Sequence, residues 1–207
     1  MRILLINNEK EQAQETDEIL MQRYALGDFA AFEQLYQRHK GGLYRYFLRQ
    51  LGNHALAEDL FQDIWSKVIS QAPKYKIKAK FSTWLYTIAQ HKLIDHIRHI
   101  KVVERVIEAP VSESEEAEQS QERQGVNELT PHLQLEQAHA SAALKTCIQA
   151  LPLVQKDCFL LKEEAGLSVE VIAQILGANY EACKSRLRYA YENLRQCISH
   201  KIGQLTL

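Results

Sequence analysis

The sequence predicts an all-α protein: two small helical domains joined by an acidic flexible linker, the second holding a helix-turn-helix. Three observations predict it. Apolar residues recur every three or four positions over 18–101 and 139–198, the helical period, and alternating β-branched runs are nearly absent. Glycine and proline are sparse, 8 and 4 in 207 residues. Charge also partitions the chain. Residues 18–101 carry 13 basic and 7 acidic groups, 102–140 carry 2 and 9, and 141–207 carry 8 and 6. Two net-positive blocks flank a strongly negative one, although the whole chain has a formal charge of −1. That division fits two polyanion-binding units on an acidic tether.

In chain order, residues 1–17 read as a polar tail, and 18–101 form the first domain. Asp28 is placed to cap a helix containing Phe29, Phe32, Leu35 and Tyr36. Gly41-Gly42 is expected to interrupt it before Leu43, Tyr44, Phe47, Leu48 and Leu51 resume the pattern up to Gly52-Asn53. The next helix, from about Ala55 to Ile69, has Ala57, Leu60, Phe61, Ile64 and Val68 as its core stripe. Asp59, Gln62, Asp63 and Ser66 form a polar ridge at the same spacing. Pro73 ends that segment. Lysines then alternate at 74, 76, 78 and 80, which is no helical pattern, so this stretch reads as an extended basic loop. Ser82 is expected to cap a further helix, with Leu85, Ala89, Leu93, Ile97 and Ile100 inside and His91, Lys92, Asp95, Arg98 and His99 outside.

Residues 102–138 are rich in Glu, Ser and Gln and lack periodicity, the composition of a disordered linker. The second domain, 139–207, opens with Leu144, Cys147, Ile148 and Leu151, broken by Pro152, and Phe159-Leu160-Leu161 follow. Ser168 then caps a short apolar helix with Glu170 in its first turn. Gly177 closes that helix, and Asn179 is placed to cap the next. Tyr180, Cys183, Leu187, Tyr191, Leu194 and Ile198 share one face of the last helix; Glu181, Lys184, Ser185, Arg188 and Arg195 share the other. Such a helix packs by one side and offers cations and hydrogen-bond donors to a DNA major groove. An amphipathic hairpin with a solvated charged face would have the same pattern.

Ile3-Leu4-Leu5-Ile6 is too short for a signal-peptide core or a membrane span, and a cytoplasmic protein is expected. The four cysteines form no CxxC pair, and Cys147, Cys158 and Cys183 sit in apolar helical patterns that suit buried reduced thiols. His91, His96 and His99, or Cys197 with His200, are conceivable metal ligands. However, Lys92 and Arg98 would repel a cation at the first group, and the second lacks two further ligands. Neither a cofactor nor a metal is expected. There is no P-loop, nucleophile elbow or paired-carboxylate motif, so neither an enzyme nor a small-molecule substrate is expected.

Five strings, in order, carry a resemblance: Ala57-Glu58-Asp59-Leu60-Phe61-Gln62-Asp63-Ile64-Trp65, Phe81-Ser82-Thr83-Trp84-Leu85, Ile94-Asp95-His96-Ile97-Arg98, Leu151-Pro152, and Lys184-Ser185-Arg186-Leu187-Arg188. Together they resemble bacterial RNA polymerase sigma factors of the small two-domain extracytoplasmic-function class. The resemblance covers about 18–101 and 140–198. It implies core RNA polymerase (its clamp and flap), promoter DNA and an anti-sigma factor as partners. It also implies that Asp59, Gln62 and Asp63 dock onto polymerase. Lys76, Lys78, Lys80, Phe81, Thr83 and Trp84 match the element that holds the melted minus-ten strand, where cations and aromatic surfaces suit unstacked bases. A core position for Trp84 stays open. His91, Lys92 and Arg98 match the duplex-contacting face, with Asp95 there to organise a neighbouring cation or the loop. Glu181, Lys184, Ser185, Arg186 and Arg188 match the minus-thirty-five reader, Arg186 as a phosphate contact. The acidic linker matches one that occupies a nucleic-acid channel of polymerase. The chain departs from the family at Gln90, where Arg is common, at Cys183, where Val or Ala is usual, and in the absence of a glycine between Pro73 and Phe81. A stand-alone helix-turn-helix regulator remains the alternative.

Overall fold

A computed structural model describes residues 15–106 and 131–205, with side chains over 15–100 and 139–201. The expected tail and most of the linker lie outside these residues. Among the described residues, eight α-helices and one 3₁₀ turn make up the regular structure: α1 (Asp17–Ala25), α2 (Phe29–Leu51), α3 (His54–Gln71), a 3₁₀ turn (Ala72–Lys74), α4 (Phe81–Val106), α5 (Pro131–Gln149), α6 (Leu153–Glu163), α7 (Val169–Leu176) and α8 (Tyr180–Leu205). Among the described residues there is no strand. Helix α4 and helix α5 both extend into the stretch expected to be linker.

In the first unit, α1 and α3 pack on α2, and α4 closes against α1 and α3. Leu20, Met21, Leu35, Leu43, Phe47, Ile64, Leu85 and Leu93 fill its core. Asp28 caps α2 as expected, its carboxylate accepting from the Ala30 and Ala31 amides at 3.1 and 3.2 Å. Two local expectations fail. Helix α2 runs unbroken through Gly41-Gly42, because packing outweighs the roughly 1 kcal/mol that a mid-helix glycine costs. Helix α4 begins at Phe81, one residue before Ser82, and its first amide donates instead to Glu18 Oε1 at 2.6 Å. That cap comes from α1, 63 residues away, so no local pattern could announce it. The polar tail ends earlier than expected: Asp17 opens α1 and holds Arg38 at 2.8 Å and His39 at 2.6 Å. The His39 hydrogen bond, and then Arg38, hold its carboxyl below the usual carboxylate range despite partial burial.

In the second unit, α5, α6 and α7 all pack on α8. Ser168 Oγ accepts from the Val171 amide at 3.4 Å, and Asn179 Oδ1 accepts from the Glu181 amide at 2.8 Å. Gly177 sits at φ 58°, the left-handed conformation that turns α7 into α8. Ile172, Ala173, Cys183, Leu187 and Leu194 are buried. Tyr180 and Tyr191, expected on the packed face, are exposed; Tyr191 meets Phe159 edge-on and donates its hydroxyl to Glu163. Cys158 and Cys183 are buried thiols as expected, but Cys147 is not free: it forms a disulfide with Cys197, joining α5 to α8. The two cysteines are 50 residues apart in sequence, and their Cα atoms stand 5.8 Å apart.

Candidate promoter and polymerase surfaces

The polar ridge of α3 forms because its apolar stripe is buried. Leu60, Phe61, Ile64 and Val68 turn inward, which leaves Asp59, Gln62 and Asp63 exposed along the outer face. Gln62 donates to Glu58 at 3.0 Å. Asp63 pairs with Lys92 of α4 at 2.8 Å, which ties the ridge to the expected duplex face. Both side chains are about half exposed, so the pair contributes little to stability and is free to exchange for other partners.

The lysine loop leaves α3 through the 3₁₀ turn and re-enters at α4. Lys74, Lys76, Lys78 and Lys80 are all exposed. Lys74, Lys76 and Lys78, with Thr83 and Trp84, line an open cleft of about 530 Å³ that also includes Gln71 and Thr87; Lys80 instead faces a second hollow beside Asp17, Glu18 and Arg38. Phe81 is fully buried, a correction to its expected place on the DNA surface. It packs beneath Trp84 (5.7 Å between centroids) and against Tyr75, and supports the cleft from inside. Trp84 itself is half-buried and faces both core and cleft. Tyr75 holds its hydroxyl in the protein without a hydrogen-bond partner, and burial, with Glu18 and Asp17 nearby, pushes its pKa up to about 12. Three lysines around an aromatic-edged cleft suit an extruded base and its phosphates.

On α4, His91, Lys92 and Arg98 are exposed. Asp95 stands 3.8 Å from Arg98, consistent with a role in organising that cation. On α8, Glu181, Lys184 and Arg188 are exposed, whereas Ser185 and Arg186 are half-buried. Arg186 turns inward, where its charge acts on Asp157 and its side chain reaches the Cys158 thiol. Arg188 is backed by Tyr189: the guanidinium lies 4.9 Å from the ring centroid and donates to the hydroxyl at 3.2 Å. Tyr189 escaped the sequence reading because it lies between the two helical faces. Gln90, Asp157 and Glu164 were also missed as a set, since only the tertiary structure brings them together.

Against known families, residues 35–101 match sigma-70 region 2 and residues 141–194 match sigma-70 region 4. The chain belongs to the extracytoplasmic-function class of RNA polymerase sigma factors. The sigma factor is 29% identical to the RNA polymerase sigma factor CarQ of Myxococcus xanthus over 90% of this chain and 98% of CarQ. It is 28% identical to the sigma factor BldN of Streptomyces coelicolor over 80% of this chain, a stretch that spans only 60% of BldN. With SigK of Mycobacterium tuberculosis it shares 26% over 86% of this chain and 91% of SigK. The fold is that of the sigma factor RpoE solved with the anti-sigma factor NepR from Bartonella quintana: TM-score 0.64, 21% identity, 81% of this chain and 96% of that one. CnrH, solved with the cytosolic domain of CnrY, is similar in fold at TM-score 0.59 and 20% identity over 90% of this chain and 99% of that one.

Proposed function

We propose that this sigma factor docks onto core RNA polymerase through Asp59, Gln62 and Asp63, opens minus-ten DNA with the lysine loop, and reads the minus-thirty-five element with α8. The observation that carries this reading is the joint presence of an exposed acidic ridge and a lysine-rimmed cleft in region 2 of the same chain whose region 4 ends in a helix-turn-helix. A stand-alone regulator needs neither the ridge nor the cleft. The protein works where polymerase is, in the cytoplasm. Among the described residues no helix is long and apolar enough to cross a membrane. By analogy with RpoE, solved with the anti-sigma factor NepR, and with CnrH, solved with the cytosolic domain of CnrY, an anti-sigma factor is its controlling partner. As a sigma factor it acts by binding, with no reaction of its own.

Run-off transcription with core enzyme tests the assignment: promoter-specific transcripts that depend on this chain are expected. Reversing the charge at Asp59 and Asp63 should abolish co-purification with core enzyme while helical content by circular dichroism is retained, since both side chains are exposed. A reversed variant that still co-purifies would remove the ridge from the docking surface.

A further inference from the structure

The lysine loop stands on α1, a helix that precedes the residues matched to region 2. Both ends of the loop are held there. At its start, the 3₁₀ turn packs on α1. Tyr75 follows, its hydroxyl buried and near enough to Glu18 and Asp17 for both charges to raise its pKa. At its end, the Phe81 amide donates to Glu18 Oε1 at 2.6 Å. Lys80, one residue earlier, lines a hollow with Asp17, Glu18, Arg38 and Ser82. Glu18 is itself held in place. Its neighbour Asp17 accepts from Arg38 at 2.8 Å and lies 2.6 Å from His39 Nε2, both on α2. Leu20 and Met21, one turn on, are fully buried.

Two caps compete for α4, and they set different starts. Lys80 stands in the N-cap position: its carbonyl accepts from the Trp84 amide at 3.1 Å. Its side chain has no acceptor, so the first amides of α4 need a partner from elsewhere. Glu18 supplies one, and the helix dipole favours a carboxylate at that end. Ser82 is the local alternative, since serine caps a helix well. A helix capped by Ser82 would begin at Thr83 and release Phe81 and Ser82 into the loop. Phe81 is fully buried among three rings, with centroids at 5.2 Å for His39, 5.7 Å for Trp84 and 6.4 Å for Tyr75. Thr83 and Trp84, which line the lysine cleft, lie in the same first turn. Where α4 starts therefore fixes both the length of the loop and one wall of the cleft.

We propose that Glu18 is a positioning residue for promoter opening: from α1 it caps α4, sets where the lysine loop ends and holds Trp84 at the cleft. It acts through the Phe81 backbone and needs no contact with DNA. The proposal rests on the reading of the lysine loop as the melting element.

Two conservative variants of the full chain separate reach from charge, each tested with core polymerase on a duplex promoter. Glu18→Gln keeps an acceptor oxygen at the same reach. Glu18→Asp keeps the charge but shortens the side chain by a methylene. Glu18→Asp should form closed complexes as wild type does, with permanganate reactivity at the minus-ten element lowered about fivefold, the factor that a typical N-cap is worth. A pre-melted template should restore its run-off transcript. Glu18→Gln should open promoters like wild type. Asn53→Ala is the control for lost stability, since it removes the cap of α3, where Asn53 Oδ1 accepts from the Leu56 amide at 3.0 Å. It should unfold at a lower temperature and still open promoters normally. Normal opening by Glu18→Asp would overturn the positioning role, as would impaired opening by Glu18→Gln. Equal losses in Glu18→Asp and Asn53→Ala would overturn it too, by reducing the cap to a contribution to stability. Failure of the underlying reading looks different: the variant with Lys76, Lys78 and Lys80 replaced by alanine would then open promoters normally, and the proposal would fall with that reading even if Glu18→Asp were impaired.

Discussion

At the scale of single residues, Arg188 and Tyr189 show how a reading side chain is held. An exposed arginine on a helix samples many rotamers; stacking on Tyr189 and the bond to its hydroxyl narrow that range before DNA arrives. A base-edge contact from Arg188 is worth about 1–3 kcal/mol at one or two positions. Arg188→Ala is therefore expected to relax minus-thirty-five preference locally, measured by run-off transcription across a promoter library, with activity on the remaining positions kept. Equal loss at every promoter position would make Arg188 a phosphate contact instead. This residue was legible in the sequence because helical period alone places it outward. Phe81 was not, because the string Phe81-Ser82-Thr83-Trp84 does not say which aromatic turns inward. That depends on α1, whose Glu18 sets where α4 begins. Gly42 misleads for the same reason: its spacing signals a break, and the Glu164 carbonyl and the Tyr86 hydroxyl, both distant in sequence, explain a glycine inside an intact helix.

At the scale of elements, helices with a strong apolar stripe and a local cap were predictable, and connections made by distant groups were not. The α7–α8 pair was read with its caps because Ser168, Gly177 and Asn179 act within a few residues of themselves. The lysine loop was read as extended from its alternation, but its cleft needs Trp84 and Thr87 one and two turns into α4. Replacing Lys76, Lys78 and Lys80 together by alanine should spare closed-complex formation and impair strand opening. Permanganate reactivity reports this, and a pre-melted template should rescue the triple variant. Normal opening on duplex promoters would reduce the loop to a solvated connection. The α5–α8 disulfide is a second device that sequence could not place, since four cysteines allow several pairings. Closing a loop of 50 residues is worth about 2–4 kcal/mol to the folded state. Cys197→Ser should thus speed hydrogen exchange along α8 relative to the oxidised wild type, and reductant should make the two alike. Protection in the wild type that is insensitive to reductant would show that the bond adds nothing.

At the scale of the whole molecule, the two regions dock by α2 on α5 and α6 and by α4 on α7, and they bury an ionisable group whose charge works against docking. Asp157 lies between Gln50 and Tyr46 of α2, Gln90 of α4, Arg186 of α8 and its neighbour Lys156. Burial raises its pKa, and the hydrogen bonds from Gln50 and Gln90 and the charges of Lys156 and Arg186 only partly oppose this. The sign follows from proton linkage. Undocked and solvated, the carboxyl titrates near its ordinary value of about 3.9. Docked, it holds its proton to higher pH. Closure therefore has this group's full support below about 3.9 and loses it as pH rises through the raised value. Asp17 has the opposite sign: its lowered pKa supports α1 above the ordinary carboxylate value of 3.8, and that support is lost only as pH falls below it. Scattering across a pH series should accordingly find the closed fraction falling as pH rises. Asp157→Asn keeps an oxygen for Gln50 Nε2 and removes the charge. It should be closed across the series, with the slope flattened. An unchanged slope in Asp157→Asn would place the pH dependence elsewhere.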